Sequence, residues 1–131
     1  MQIHQSAEDY LETILMLTQR MGRVRSIDVV NELGYTKASV SIAMKKLREN
    51  GYIAVDGEGN LTLLEPGREI AERIYSRHRL LTHFFVQLGV DEEIAAEDAC
   101  KAEHILSEQT LKKIREYALL HDAEDSVQKS E

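Results

Sequence analysis

From Ala7 to Met21 the apolar residues are Tyr10, Leu11, Ile14, Leu15, Leu17 and Met21. That spacing places them on one side of a helix. Ser6 precedes it as an N-cap, Glu8 and Asp9 stand in its first turn, and Gly22 stops it. A second helix is predicted from Ser26 to Leu33, capped by Ser26, with Ile27, Val30 and Leu33 inward and Gly34 at its end. Thr36 caps a third, from Lys37 to Asn50, with Val40, Ala43, Met44 and Leu47 inward. Two short apolar runs follow, Tyr52–Val55 and Leu61–Leu64, separated by Asp56-Gly-Glu-Gly-Asn60. This reads as a β-hairpin with a glycine-rich turn.

Pro66 suits the first position of a helix, where its missing N–H costs nothing. That helix is predicted to reach about Leu88, through Ile70, Ile74, Leu80 or Leu81, Phe84 or Phe85, and Leu88. Gly89 breaks it. Asp91 caps a further helix through Leu106. Ser107 caps a last one, with Leu111, Ile114, Ala118 and Leu119 on one side. The residues from Asp122 to Glu131 carry one strongly apolar side chain, Val127, and read as a frayed or disordered polar tail.

Helix, helix, tight turn, helix, hairpin is the plan of a winged helix-turn-helix. The fold class is therefore mostly α. A winged helix-turn-helix DNA-binding domain is expected over residues 1–64 and a helical domain over 65–121, with the tail over 122–131. Thr36, Lys37, Ser39, Ser41 and Lys45 set short donors near the start of the third helix and cations further along. That is the end a recognition helix presents to bases and phosphates. A plain helical hairpin with a solvated lysine face is the competing reading of the same residues.

Composition limits the partners. The chain has 131 residues, one proline, and one cysteine, Cys100. An intramolecular disulfide is excluded, and a reducing, cytoplasmic setting is expected. No apolar run is long enough to span a membrane. The net charge of −7 argues against nucleic acid until the chain is divided. Residues 1–64 carry −1 and residues 65–131 carry −6, while residues 36–50 are locally +3. The predicted wing holds Asp56 and Glu58 and no cation, so it offers phosphate little.

Metal-type side chains stand in three places. Asp9 and Glu12 are three apart on the first helix and share a face. His78 lies on the helix after the hairpin. Cys100, Glu103 and His104 follow at i, i+3 and i+4 on a later helix, so all three can converge. Three carboxylates, two imidazoles and a thiolate form a transition-metal set of mixed hardness. Taken singly, each has an ordinary structural reading: a solvated acidic face, an exposed histidine, a small core cysteine.

Three segments carry a resemblance. Ser6-Ala-Glu-Asp-Tyr-Leu-Glu-Thr-Ile14, Ser76-Arg-His-Arg-Leu-Leu81 and Asp98-Ala-Cys-Lys-Ala-Glu-His-Ile-Leu-Ser107 are similar to the diphtheria toxin repressor family, which includes iron-dependent repressors and the manganese transport regulator. The likeness runs from about Ser6 to Tyr117. It implies a winged-helix domain joined to a helical dimerisation domain. Divalent metal would bind between the two and switch on operator binding. It carries Asp9, Glu12, His78, Cys100, Glu103 and His104 onto metal positions, and Thr36, Ala38, Ser39 and Ile42 onto DNA-contacting ones.

The set is a hybrid. Manganese-type members carry acidic residues where Asp9 and Glu12 stand, and a carboxylate in place of Cys100. Iron-type members carry the cysteine, but a Met in place of Asp9. Thr82 and Ala96 replace an acidic residue and a histidine of the iron-type second site. No SH3-like C-terminal domain is read from the chain.

The resemblance implies a homodimeric, metal-dependent repressor rather than an enzyme. It would bind a palindromic double-stranded DNA operator with Thr36, Ala38, Ser39 and Ile42, joined by Lys37 and Lys45 from the reading of the helix itself, and control metal-uptake genes. The activating ion would be Fe²⁺ or Mn²⁺, with Zn²⁺ or Co²⁺ as substitutes in vitro. No membrane and no small organic substrate is expected. The alternative is a winged-helix regulator that ignores metal or senses a small organic ligand.

Overall fold

In the computed structural model the backbone is described for residues 5–129 and the side chains for residues 5–122. The elements follow in the order α1 (Gln5–Met21), α2 (Ser26–Leu33), α3 (Lys37–Glu49), β1 (Ile53–Val55), β2 (Leu61–Leu63), α4 (Glu65–Gln87), α5 (Glu92–Ala102) and α6 (Glu108–Lys129). The chain divides into two compact units, residues 1–73 and 74–131, with α4 beginning in one and ending in the other.

The first unit is a winged helix-turn-helix. Its core is Leu11, Ile14 and Leu17 of α1, Val29 of α2, Val40, Met44 and Leu47 of α3, and Ile53, Leu61 and Leu63 of the hairpin, each at most 9% exposed. Gly34 ends α2 in the left-handed region at φ 71°, which a residue with a Cβ adopts only at a cost. Thr36 then caps α3: its Oγ1 accepts the Ser39 N–H at 3.1 Å. The strands pair antiparallel, with Ile53 opposite Leu63 and Val55 opposite Leu61. The Asp56 carboxylate closes the turn by accepting the N–H groups of Glu58 and Asn60, each at 2.9 Å.

Some local readings are corrected. The N-cap of α2 is Arg25, not Ser26, and the Asp28 side chain accepts the Arg25 N–H at 2.8 Å. The inward anchor of α2 is Val29, fully buried, whereas Ile27 is 44% exposed. Arg25 also pairs with Asn60 as an isolated antiparallel bridge, and Leu61 N–H donates to Val24 O at 2.7 Å. The segment before α2 thus lies along the wing, and the helix keeps its predicted bounds with Arg25 rather than Ser26 as its cap.

The second unit packs the remainder of α4 with α5 and α6 around Leu81, Ala99 and Leu111. Leu80, Phe85, Ala102, Leu106 and Ile114 lie against them. Ser107 Oγ accepts the Thr110 N–H at 3.2 Å and so starts α6. Asp91 precedes α5 without a side-chain cap bond. Leu88, read as inward, is 60% exposed, because the helix has already ended at Gln87. The backbone of α6 continues to Lys129, past Asp122, where the polar tail was drawn. The side chains of that tail from residue 123 on, and its last two residues, lie outside the described residues.

Candidate metal cluster and DNA-facing helix

In the second unit, α4 carries His78, and the C-terminal end of α5 carries the rest. The sequence reading placed Cys100, Glu103 and His104 on one helix running to Leu106. The helix in fact ends at Ala102: Cys100 is in its last turn, Glu103 is the C-cap, and His104 stands in the turn beyond. The residues still converge. Ligand-type atoms of His78, Cys100 and Glu103 lie within 4.8 Å of one another. Glu103 Oε2 is 3.0 Å from His78 Nδ1, and Glu103 Oε1 is 3.4 Å from His104 Nε2.

Glu103 is wholly buried, and its Oε1 has no hydrogen-bond partner among the described residues. Burying a carboxylate costs several kcal/mol unless something compensates its charge. Within the second unit its side-chain neighbours include two imidazoles and a thiol, groups that ligate metal as readily as they donate hydrogen bonds. Cys100 is a free, exposed thiol at the edge of the group. A buried carboxylate with an orphaned oxygen beside imidazole and sulfur fits a divalent transition metal.

In the first unit, Asp9 and Glu12 occupy successive turns of α1. Asp9 is partly exposed, and Glu12 is only 4% exposed. Glu12 is therefore not part of a solvated acidic face. Arg73 of α4 holds the start of this helix by donating to Glu8 at 3.1 Å.

The helix α3 presents Thr36, Lys37, Ala38, Ser39, Ile42 and Lys45 to solvent. Ile42 is 58% exposed, a large apolar side chain left out of the core on the face opposite Val40, Met44 and Leu47. The Thr36 hydroxyl donates to Ser39 Oγ at 2.8 Å, which fixes the first turn. Lys45 pairs only loosely with Glu49, at 4.0 Å between two exposed side chains. Arg25 was missed by the sequence reading. Its guanidinium donates to the Glu58 carbonyl, bringing to the acidic wing a cation that the wing's own sequence lacks. Only the pairing of residue 25 with residue 60 reveals it, and no local signal does.

A winged helix-turn-helix joined to a helical unit with a carboxylate, imidazole and thiol cluster defines a class: DNA-binding regulators that carry a metal-type site. Comparison with known proteins makes this specific. The iron dependent repressor N-terminal DNA-binding domain matches residues 2–61, and the iron dependent repressor metal-binding and dimerisation domain matches residues 64–122. The chain belongs to the iron dependent repressor family, a family of metal-dependent transcriptional regulators and not of enzymes.

An uncharacterised HTH-type transcriptional regulator of Methanocaldococcus jannaschii is 35% identical over 113 residues, 85% of this chain and 90% of that protein. The HTH-type transcriptional regulator MntR of Bacillus subtilis is 32% identical over 124 residues, 95% of this chain and 87% of that one. Among solved structures, a manganese-dependent transcriptional repressor in complex with manganese superposes with TM-score 0.78 at 28% identity. It is matched over 86% of this chain and 52% of its own. The chain thus spans nearly the whole of those curated relatives and about half of that solved structure. Among the described residues, no helix is long and apolar enough to cross a membrane.

Proposed function

We propose that this protein is a homodimeric repressor that binds a palindromic operator when loaded with Fe²⁺ or Mn²⁺ and thereby controls metal-uptake genes in the cytoplasm. The observation that carries the reading is the buried Glu103 carboxylate held between His78, His104 and Cys100 in a chain whose other unit is a winged helix. Asp9 and Glu12 are the ligands assigned to the first unit. They share one face of α1, and the segment that holds them is part of the family likeness.

The bound ion supplies positive charge and a demand for several ligands at once. The protein's residues do the rest. Asp9 and Glu12 would be the first unit's ligands and Glu103 the second's, and α1 would be freer to move while no ion joins them. Joined through a bound ion, those side chains would hold the recognition helices at one separation suited to two half-sites of a palindrome. An arrangement that binds both metal and DNA couples the two affinities reciprocally.

The metal assignment draws on both halves of the ligand set. Asp9, Glu12 and Glu103 are hard oxygen donors of the kind Mn²⁺ takes, and one similar solved structure is named a manganese-dependent repressor. Cys100 adds a soft donor that Fe²⁺ accepts alongside imidazole and carboxylate. Dimerisation is supported by Ile94, 49% exposed, and Ile105, 76% exposed. These are large apolar side chains that the unit does not bury itself.

Selection from a random duplex library tests the reading. With Mn²⁺ or anaerobic Fe²⁺, a two-half-site sequence should emerge, and in excess chelator none should. The same symmetric sequence selected equally well in chelator would establish instead the metal-independent regulator.

A further inference from the structure

We infer that Arg77 is the positioning residue of the metal cluster: it fixes the turn that carries Glu103 and His104. The inference rests on the metal reading above but concerns a residue outside the ligand set. Arg77 and His78 are consecutive on α4, and both grip Glu103, from opposite ends. His78 Nδ1 meets the Glu103 side chain at 3.0 Å, and Arg77 Nη1 donates to the Glu103 backbone carbonyl at 3.2 Å. The second arm of the Arg77 guanidinium donates to the Glu108 carboxylate in the first turn of α6.

The two arms therefore span the connection between α5 and α6, with Glu103 at one foot and His104 between them. The carbonyl taken by Arg77 lies at a helix C-terminus, where carbonyls lack partners within the helix. A cation there also faces the negative end of the helix. The neighbouring arginines do other things. Arg73 pairs with Glu8, and Arg79 lies over the Tyr75 ring. The Arg77 side chain is only 13% exposed, so its rotamer is held by packing. Glu108 is 80% exposed, and a pair with an exposed carboxylate adds little to stability. Its role is to hold the guanidinium fork so that the other arm stays on Glu103.

Lysine cannot replace this geometry, because one ammonium cannot serve both acceptors in fixed directions. Partners that orient metal ligands typically cost roughly 10- to 100-fold in metal affinity when removed. A purely structural arginine would instead lower the stability of the metal-free protein and leave the affinity of the folded form unchanged.

The test uses the full chain with Co²⁺ as the probe, its affinity read by chelator competition and its coordination by the visible spectrum. Arg77→Met should bind Co²⁺ roughly 10- to 100-fold more weakly, with an altered spectrum and a parental helical circular dichroism. Arg77→Lys should recover part of the loss. Glu108→Gln, at an exposed site, should weaken binding in the same direction but by less than Arg77→Met, and it decides the matter if Arg77→Met fails to fold. Parental affinity in folded Arg77→Met, or, where that variant does not fold, parental affinity and spectrum in Glu108→Gln, would overturn the inference and leave the metal reading intact. Failure of the parent protein to bind Co²⁺ would overturn both.

Discussion

The Nδ1 of His78 lies 3.0 Å from Oε2 of Glu103, and the Glu103 side chain is wholly shielded from solvent. A buried carboxylate held by an imidazole can serve as a simple hydrogen-bonded pair. The free thiol of Cys100 beside both makes a soft ligand available at the same point. The two uses are separable by spectroscopy.

Cobalt bound to a thiolate gives a sulfur-to-metal charge-transfer band in the near ultraviolet. The parent protein should show this band, and Cys100→Ser should lose it while remaining folded. Because the thiol must release a proton to bind, affinity should also fall as the pH drops. Cys100→Glu should favour Mn²⁺ relative to Fe²⁺ or Co²⁺, a hard donor having replaced a soft one. Cobalt binding to the parent without the band would restrict the ligands to carboxylate and imidazole.

Much of this was legible from local chemistry. Thr36 caps α3 and the Gly34 reversal follows from its sequence position, because caps and turns depend on a few adjacent residues. Val40, Met44 and Leu47 are buried as their spacing requires. What was illegible depends on contacts distant in sequence. The end of α5 at Ala102 coincides with the hold that His78 and Arg77 take on Glu103, and both come from α4. Arg25 acts on the wing only because residue 25 pairs with residue 60. Val29 rather than Ile27 is the anchor of α2, because which face of so short a helix is buried is set by α1 and α3 packed on it and not by its own spacing.

Lys37→Ala and Lys45→Ala should weaken binding to every duplex alike. Each lysine that meets a phosphate contributes roughly 0.9 to the slope of log affinity against log salt. Ile42→Ala should instead alter sequence preference, since its exposed side chain is suited to thymine methyl groups. Salt titrations of the three variants check this. A parental slope in both lysine variants would move the DNA contact off α3.

Gly67→Ala should destabilise the protein by about 1–3 kcal/mol, the usual cost of overpacking. A Cβ at Gly67 would stand 2.2 Å from the Tyr52 carbonyl oxygen and 3.3 Å from a Leu11 methyl group. The first of these is backbone, and it also accepts the Leu64 N–H at 3.0 Å, so it cannot easily withdraw. Denaturant unfolding measures the loss. Stability equal to that of the parent would mean that α4 and the wing separate more freely than their packing indicates.

Asp56 titrates below its ordinary 3.8, first because of the hydrogen bond from the Asn60 side chain and then because of the Asn60 backbone N–H. A carboxylate with a lowered folded value stabilises the protein at pH above the unfolded value. That contribution is lost as pH falls through the folded value. The wing should therefore loosen in acid below about pH 4. In Asn60→Ala the Asp56 titration should move up towards the ordinary value, as followed by carboxyl NMR. An unmoved titration would show that the turn is held without that side chain.

Anaerobic titration of DNA binding with Mn²⁺, Fe²⁺ and Zn²⁺, on the duplex recovered by selection, tests most directly whether this chain is a metal-activated repressor. Affinity should rise by at least about 10-fold with Mn²⁺ or Fe²⁺, a coupling in the usual range for two linked sites. Chelator should reverse the rise, and His78→Ala or Glu103→Gln should abolish it while leaving the metal-independent affinity unchanged. Equal affinity with metal and in chelator, in the parent and in both variants, would contradict the account.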